Sequence, residues 1–284
     1  MQVVKEAGNN FFTNDFAKIN SRACSLLLNF TEEGFSYTIL QNDINTVVYS
    51  AVSDAVIDLF QFSETQLSEI FNTEPVFKYT FGKIIVLIDT IYSTIVPNPF
   101  FDENKLAEIL SFNLNLPKTD LHFQYDSFNR LDYKNVFVNS FSLEKALAKN
   151  FIETSVVASE TVLLDFLEKR NVSSEYFHLH LGFKKMHCCY FKNKELVFNN
   201  IFPIQTEEDI LYNVLNIYKQ LGLNNEVCVL NVSGVISPES NKFELLYKYI
   251  KHIQFAQRPI KLNFAERLAQ MPEHYFLHHY AALL

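Results

Sequence analysis

The sequence lacks the glycine-containing motifs of several common nucleotide and hydrolase sites. Glycine occurs only 6 times in 284 residues, and none of the patterns GxSxG, GxGxxG and GxxxxGK(S/T) is present. These patterns mark the nucleophile elbow of α/β-hydrolases, the dinucleotide-binding turn and the phosphate-binding P-loop. The sequence therefore predicts none of these three sites.

Cysteine is also scarce, and its spacing argues against disulfides and CxxC metal sites. The four cysteines are Cys24, Cys188, Cys189 and Cys228, with no CxxC spacing among them. The adjacent pair has poor geometry for a disulfide bond. We expect four reduced thiols, as in a cytosolic protein.

No apolar run is long enough to span a membrane as a helix. The most hydrophobic stretch, Ile84 to Val96, is interrupted by polar residues, whereas a membrane-spanning helix needs about 20 apolar residues. Polar and charged residues occur throughout Met1 to Asn20, which contains no apolar core of a secretory signal. We therefore expect a cytoplasmic protein without a membrane span.

Basic residues are outnumbered, with 24 Lys and Arg against 32 Asp and Glu, so the formal net charge is −8. Nonspecific nucleic-acid binding depends on Lys and Arg side chains that neutralise phosphates. The adjacent Lys184 and Lys185 are interpreted as ordinary turn residues. This charge balance argues against a nucleic-acid binder.

Tryptophan is absent, but aromatic residues are abundant, with 28 Phe and 14 Tyr. Together with an apolar fraction of 48%, they predict a packed, ordered protein with an unusually aromatic interior. The chain is long enough for two lobes that each bury a core. We predict an α/β protein with a first lobe over residues 1–155 and a second over residues 156–284.

One order of elements, β-β-β-α-β-α, occurs twice along the chain. In the first copy, alternating apolar residues and turn signals predict three strands, a helix capped by Ser63 and Gln66, a buried strand and a second helix. The predicted ranges, apart from the capped helix, are Cys24 to Phe30, Phe35 to Gln41, Thr46 to Val52, Lys83 to Asp89 and Asp102 to Phe112.

The second copy begins after residue 175. Thr206 and Asp209 cap its first helix, and Gly222 follows that helix as a left-handed C-cap. The other predicted ranges are Tyr176 to Phe183, Met186 to Lys192, Glu195 to Phe202, Val227 to Val232 and Ser240 to Lys251. Between the copies we predict strands at Asn135 to Ser140 and Ile152 to Val157, and helices at Ser142 to Asn150 and Ser159 to Arg170.

Three stretches carry a resemblance to a known family. They are TIVPNPFFDE at residues 94–103, LVFNNIF at residues 196–202 and EDILY at residues 208–212. With the duplicated unit, they resemble a bacterial family of uncharacterised proteins, domain-of-unknown-function family 3822, which is described as having an actin-like ATPase fold, a relative of the ribonuclease H fold. The resemblance implies two lobes that close on a nucleotide held in the cleft between them.

Active members of that superfamily use a D-x-G signature at the first hairpin of each lobe, where the aspartate manages Mg²⁺ and the glycine admits phosphates. At the equivalent places this chain has Asn29-Phe30-Thr31 and His180-Leu181-Gly182. Both aspartates are missing and one glycine remains. A turn on the adenosine side is better retained, with Ser233-Gly234 after a buried strand.

Acidic residues stand near the first of these signatures. Glu32 and Glu33 occupy the first hairpin turn. One interpretation is that they replace the missing carboxylates, but adjacent acidic residues in a tight turn usually face water.

A histidine-rich hairpin offers a different candidate site. Strand alternation places His178, His180, His187 and Cys189 on one face, and Leu179, Leu181, Met186, Cys188 and Tyr190 on the other. His and Cys are suitable zinc ligands, so a zinc cluster is one interpretation. A polar sheet face that lines a cleft or contacts a helix is the favoured one, and no metal is predicted.

Three histidines near the end of the chain, His274, His278 and His279, include an i, i+4 pair typical of metal-binding helices. No glutamate completes an HExxH motif, and neighbouring aromatic residues favour helix packing.

Our leading hypothesis is a catalytically silent actin-like module that binds another macromolecule, a protein by preference, with no cofactor. The alternative is an ATP-binding or ATP-hydrolysing protein that uses Mg²⁺ and displaced carboxylates. The sequence leaves the partner, the pathway and the oligomeric state open.

Overall fold

The structure, a computed structural model, describes residues 15–53, 58–61, 63–170 and 175–284. Residues 1–14, which belong to the segment predicted to contain no signal peptide, lie outside the described residues. Within the described residues, no helix is long and apolar enough to cross a membrane.

The strands and helices alternate in an α/β arrangement. The strands are β1 Cys24–Thr31, β2 Gly34–Gln41, β3 Thr46–Val52, β4 Lys83–Asp89, β5 Ser93–Pro97, β6 Leu121–Ser127, β7 Tyr133–Ser140, β8 Ser155–Ala158, β9 Glu175–Leu181, β10 Lys185–Lys192, β11 Glu195–Pro203, β12 Leu230–Gly234, β13 Ile253–Phe255 and β14 Asn263–Phe264. The helices are α1 Glu64–Thr73, α2 Leu106–Asn113, α3 Phe141–Asn150, α4 Ser159–Arg170, α5 Glu207–Gln220, α6 Asn241–Tyr247, α7 Glu266–Ala269 and α8 Leu277–Ala282.

Two mixed sheets form the body of the protein, and their strand orders correspond. The first sheet has the order β14-β3-β2-β1-β4-β8, and the second has the order β11-β10-β9-β12-β13. In both, a three-strand antiparallel meander continues into parallel strands. The predicted duplication of the β-β-β-α-β-α unit is therefore confirmed in its strand order, while the lobe boundary after residue 155 stays a prediction.

Asn29 and His180 have equivalent places in this repeat. Asn29 lies opposite Ser36 in the first hairpin, and His180 lies opposite His187 in the second. Each residue also pairs with the following parallel strand, Asn29 with Leu87 and His180 with Ser233. The sequence prediction that the two positions correspond is confirmed.

The two sheets each pack one face on their own outer helices. On the first sheet, Leu26, Leu28 and Phe30 join a core with Leu67 of α1 and Leu143 of α3. On the second sheet, the face predicted to be apolar packs on α5 and α6, and its core includes Leu179, Leu181, Met186, Cys188, Tyr190, Val214 and Leu246. The predicted division of the second hairpin into two faces is thus confirmed.

Helices α4 and α8 contact each other and lie between the inner faces of the two sheets. Helix α4 also contacts β4, β8 and β10, while α8 contacts β1. Val162 and Ala282 pack against Leu27, Ile85 and Leu87 of the first sheet. The opposite side of the pair packs on the second sheet, in a cluster that includes Leu163, Leu167, Cys189, Phe191 and Leu277. This central helix layer positions the candidate site.

A small three-stranded sheet with the order β5-β7-β6 is inserted between β4 and α4. The sequence analysis did not predict β6, because its side chains are half-buried or exposed and lack a strong alternating pattern. Asp126 of β6 ties the insert to the start of α4, since its carboxylate accepts hydrogen bonds from Ala158 N and Thr161 Oγ1, both at 2.8 Å. Burial raises the pKa of Asp126 to about 6.

The buried strand predicted at Val227 to Val232 begins three residues later, at Leu230, and ends two residues later, at Gly234. The backbone N–H groups of Val227 and Cys228 both donate to Asn224 O, at 3.0 and 2.7 Å, so this segment forms a turn. The strand begins at Leu230 because parallel pairing with Phe177 of β9 starts there. Both predicted capping boxes, at Ser63 and at Thr206, are present.

Gly234 has a structural role that no other residue can fill without strain. It ends β12 with φ +86°, and a Cβ built on it would lie 2.0 Å from Leu181 O of the neighbouring strand. Gly222 has a comparable φ of +65°, but no atom lies within 4 Å of its Cβ position. Both glycines have a positive φ, but only at Gly234 would a side chain also clash with a neighbouring strand. A comparison of the two positions therefore separates the cost of the backbone conformation from the cost of the clash.

We expect Gly234→Ala to lower the free energy of unfolding by about 3 kcal/mol or more, because a strained backbone and a backbone clash act together. Gly222→Ala, the matched control, should cost about 1 kcal/mol from backbone conformation alone. Urea unfolding followed by circular dichroism measures both. Equal losses in the two variants would contradict the role assigned to the close strand contact.

Candidate functional site

The two positions predicted to correspond to the missing aspartates, Asn29 and His180, lie on either side of His278 from α8. Asn29 Nδ2 is 3.3 Å from His278 Nε2, and the imidazole rings of His278 and His180 meet edge to face with centroids 4.7 Å apart. All three side chains are at least nine-tenths buried. The C-terminal helix therefore occupies the space between the two predicted signature positions.

His279, the neighbour of His278, binds the first sheet. Its Nε2 lies 3.0 Å from Ser36 Oγ and its Nδ1 lies 2.9 Å from Thr38 Oγ1. The side chain is fully buried, and this burial holds the pKa of His279 well below its usual value. Both ring nitrogens are thus satisfied by hydroxyl groups while the ring stays neutral.

His178 and His180 share one hydroxyl group on the second sheet. His178 Nε2 and His180 Nδ1 each lie 2.8 Å from Ser233 Oγ. A serine hydroxyl has one hydrogen, so it donates to one of these neutral rings and accepts from the other. Burial lowers the pKa of His178 to about 3 and holds that of His180 well below its usual value.

His187, which also lies on the predicted polar face, belongs to a separate hydrogen-bond network. Its Nε2 lies 2.6 Å from Asn199 Oδ1, and Asn199 Nδ2 donates to Glu160 Oε1 at 2.6 Å. The other oxygen of Glu160 accepts from Ser93 Oγ at 2.7 Å. Glu160 at the start of α4 thereby connects the second sheet to the inserted sheet.

Lys185 joins the two sheets through a buried ion-pair network. Its Nζ lies 2.9 Å from Asp89 Oδ1 and 3.4 Å from Glu32 Oε2, and it also donates to Asp89 O. Burial acts to lower the pKa of Lys185, but the two carboxylates raise it above its usual value. Burial acts to raise the pKa of Asp89, but Lys185 and nearby histidines bring it below its usual value.

Two sequence interpretations are corrected by this network. Lys185 was interpreted as an ordinary turn residue, but its side chain is only 11% exposed. Glu32 was expected to face water, yet it accepts from Ile91 N at 2.8 Å and pairs with Lys185. Glu33 pairs with Lys184 at 2.5 Å. The two hairpin turns contact each other directly, so their charges lie between the sheets.

The remaining signature positions have local structural roles. Thr31 Oγ1 accepts from Glu33 N at 3.0 Å and donates to Gly34 O at 3.1 Å, which fastens the first turn. Gly182 N donates to Lys185 O at 2.9 Å in the second turn. Gly234 N donates to His274 O at 2.9 Å. Thr31 and Gly182 thus hold the two hairpin turns in place, whereas Gly234 joins the end of β12 to the segment before α8.

Metal-ligand geometry is missing from the residues that the structure describes, which contain no group of three His, Cys, Asp or Glu side chains arranged to hold a metal ion. His178 and His180 are bound to Ser233, and Cys189 packs in the apolar cluster around α4. His274 Nε2 lies 2.6 Å from Ile236 O. The expectation of a metal-free protein stays a prediction.

The space left among these groups is small. A cavity of about 10 Å³ is lined by residues from β4, α4 and the second hairpin, namely Asp89, Ser159, Glu160, Leu163, His180, Gly182, Lys185, His187 and Ile201. Small-molecule sites usually have volumes of about 300–1,000 Å³. The arrangement thus has no room for a nucleotide between the two hairpins.

Comparison with known proteins places the chain in a family. A family model described as "Protein of unknown function (DUF3822)" matches residues 13–253. The chain belongs to this family. The resemblance inferred from the sequence is confirmed, and the DUF3822 match covers both copies of the repeated unit. No curated protein matches the chain significantly.

Solved structures confirm the fold predicted for this DUF3822 chain. A Bacteroides thetaiotaomicron protein with an actin-like ATPase fold and unknown function matches with a TM-score of 0.75 and 19% identity, over 95% of this chain and 98% of that one. A chain of the PilM–PilN type IV pilus biogenesis complex matches with a TM-score of 0.57 and 10% identity, over 93% and 97%. At these identities the matches show a shared fold.

Sequence reasoning did not predict that four residues fill the space between the hairpins. These residues are Asp89, Glu160, Lys185 and His278, and the contact of His278 with Asn29 was also not predicted. One signal was available for Asp89, since it ends a buried parallel strand, where ligand sites of α/β sheets form. Glu160 similarly lies two residues after the end of β8. No local signal reveals that Lys185 and His278 reach the first sheet.

We expect Lys185→Met to destabilise the protein by about 3–5 kcal/mol, because it leaves Asp89 and Glu32 in the interior without their cation. Adding Asp89→Asn should recover part of this loss. Lys184→Met is the matched control and should have little effect, since Lys184 is 78% exposed. Chemical denaturation of the variants at pH 7 measures these differences. A Lys185 variant as stable as the Lys184 variant would contradict the role of the network.

Proposed function

We propose that this DUF3822 protein is a catalytically silent actin-like module that acts in the cytoplasm by binding a protein partner. The observation that carries the proposal is that its own side chains, chiefly Lys185 and His278, fill the space between the two hairpins. The four free thiols support the cytoplasmic location, because such thiols persist in a reducing compartment.

The residues present do not fit Mg-ATP. Mg²⁺ is usually held by one or two carboxylates and ordered waters, but the predicted ligand positions carry the neutral Asn29 and the imidazole of His180. The carboxylates of Asp89 and Glu32 are both paired with Lys185. Catalysis of phosphoryl transfer depends on positioning and electrostatic stabilisation, and neither is available in this arrangement.

One observation favours the alternative of an ATP-binding protein with displaced carboxylates. Asp89 and Glu160 both line the small cavity, and Glu32 pairs with Lys185, the lysine that also pairs with Asp89. An opening of the two hairpins would free these carboxylates for a metal ion. The alternative therefore requires a second conformation, whereas the silent module requires only the one described.

We expect no change in melting temperature when millimolar ATP and Mg²⁺ are added. A nucleotide at 100 times its dissociation constant would stabilise the folded state by about 2.7 kcal/mol, which thermal unfolding readily detects. An active actin-like ATPase serves as the positive control. A metal-dependent rise in melting temperature that is lost in Glu32→Gln or Asp89→Asn, together with phosphate release, would contradict the silent module. It would support the alternative of an ATP-binding protein with displaced carboxylates.

We propose that the partner binds the insert surface, which comprises the exposed rings of Phe100, Phe112, Tyr125 and Phe141 on the inserted sheet and the helices next to it. Phe112 is 86% and Phe100 is 79% exposed. Aromatic residues with low side-chain entropy are enriched at protein interfaces. Lys145 Nζ lies 4.7 Å from the Phe141 ring centre, which adds positive charge at the edge of this insert surface.

A structural neighbour gives this proposal some support. The neighbour with a TM-score of 0.57 belongs to a complex of two named proteins, PilM and PilN. Its fold is therefore compatible with a protein partner. The insert surface of the present chain is assigned from its own exposure and composition.

We expect the double variant Phe100→Ser/Phe112→Ser to co-purify at least about tenfold less partner than the wild type in quantitative affinity purification from the native host. The reason is that interface aromatics carry much of the binding energy. Tyr212→Ser is the control, since Tyr212 is 70% exposed on α5, away from the insert. Partners recovered equally with the double variant, or lost equally with the control, would contradict the insert surface.

A further inference from the structure

The contact between His180 and His278 connects parts of the chain that are far apart in sequence. His180 belongs to β9 of the second sheet, whereas His278 belongs to α8 and contacts Asn29 of the first sheet. Their exposed fractions are only 7% and 8%. A change at either ring therefore acts directly on the contact between the two sheets.

The hydrogen bonds around this contact are made by neutral rings. Asn29 Nδ2 is a donor, so His278 Nε2 accepts and its proton lies on Nδ1, which has no hydrogen-bond partner among the described residues. His180 shares the Ser233 hydroxyl with His178, an arrangement that supplies one donor and one acceptor. Protonation of both rings would place two imidazolium groups edge to face, with centroids 4.7 Å apart.

Other charged groups around the pair do not supply a hydrogen-bonded carboxylate to either ring. Asp89 of β4 faces Lys185 of β10, and Glu32 of the first turn pairs with the same lysine. Glu160 of α4 is hydrogen-bonded to Ser93 and Asn199. These three carboxylates are already engaged.

The remaining neighbours are basic or neutral. Lys185 and His178 both act to lower the pKa of His180, as does His187. His279 adjoins His278 on α8, with ring centroids 4.5 Å apart. His187 is also 3.8 Å from Glu160, so a charge on that ring would be compensated.

We propose that His180 and His278 form an acid-sensitive latch that holds the two sheets together while both rings are neutral and releases them when the rings take up protons. The sheets are held together where His278 contacts Asn29 of the first sheet and His180 of the second sheet. The latch does not depend on the identity of a partner or on the proposed function.

The direction of the pH dependence follows from proton linkage. Burial lowers the pKa of His278 to about 4 despite the attraction of Asp89, and it holds that of His180 well below the usual value. In an opened, solvated state both would titrate near the reference value of about 6.5. The closed state therefore binds fewer protons, so closure is complete above about pH 6.5 and weakens as the pH falls towards 4. Each histidine contributes up to about tenfold per pH unit to this weakening.

Hydrogen exchange with mass spectrometry on the full chain tests the latch at pH 7.5, 6.5, 5.5 and 4.5, with exchange times corrected for the intrinsic rate. We expect protection to fall reversibly in the two hairpin turns and in α8 as the pH decreases, while α5 keeps its protection. His278→Gln should reduce this pH dependence to about half on a logarithmic scale, because glutamine does not titrate in this range while His180 still does. His252→Gln, at an exposed histidine of the same lobe, should retain it.

Circular dichroism at pH 7.5 establishes that each variant is folded, and His180→Gln provides a second test from the opposite side of the contact. Unchanged protection of the wild type down to pH 4.5 would overturn the proposal. So would a simultaneous loss of protection in α5, which indicates global acid unfolding. Folded variants at both histidines with the pH dependence of the wild type would also exclude the latch.

Discussion

The two main sheets both turn a partly polar face towards the same pair of helices, α4 and α8, and this arrangement constrains the rest of the structure. A buried polar group is costly unless it is hydrogen-bonded. His279 of α8 meets this requirement for the first sheet through Ser36 and Thr38, and His278 contacts Asn29. Glu160 of α4 does the same for the second sheet through Asn199. The helices are therefore fixed by polar partners as well as by apolar packing.

Lys185 adds a charged connection to this layer. A buried ion pair contributes little net stability compared with an apolar replacement, but removal of one partner is strongly destabilising. The network of Lys185, Asp89 and Glu32 thus favours one arrangement of the two hairpin turns. This ion-pair network lies where the actin-like fold was expected to admit phosphates. The residues that hold the two hairpin turns together are therefore also those on which the proposed lack of ATPase activity rests.

Much of the fold follows from local sequence signals. Strands β1 to β4, both capping boxes and the two faces of the second hairpin could be predicted because alternation and capping act over a few residues. Strand β6 could not, since its half-buried side chains give no clear period. The family assignment was also available from the sequence, through the stretches at residues 94–103 and 196–202. Of the candidate site, the signature positions Asn29 and His180 could be located, but their contacts could not.

The sequence by itself determined that two equivalent hairpins carry no aspartate at their signature positions, and that His178, His180 and His187 share one sheet face. Only the tertiary structure decided what those side chains contact. His278 is 249 residues from Asn29, and Lys185 is 153 residues from Glu32. Periodicity specifies which face of an element is buried, but it carries no information about which distant element covers that face. The partners of buried polar groups are set by the packing of the whole chain, because each must be satisfied by whichever donor or acceptor the fold brings beside it.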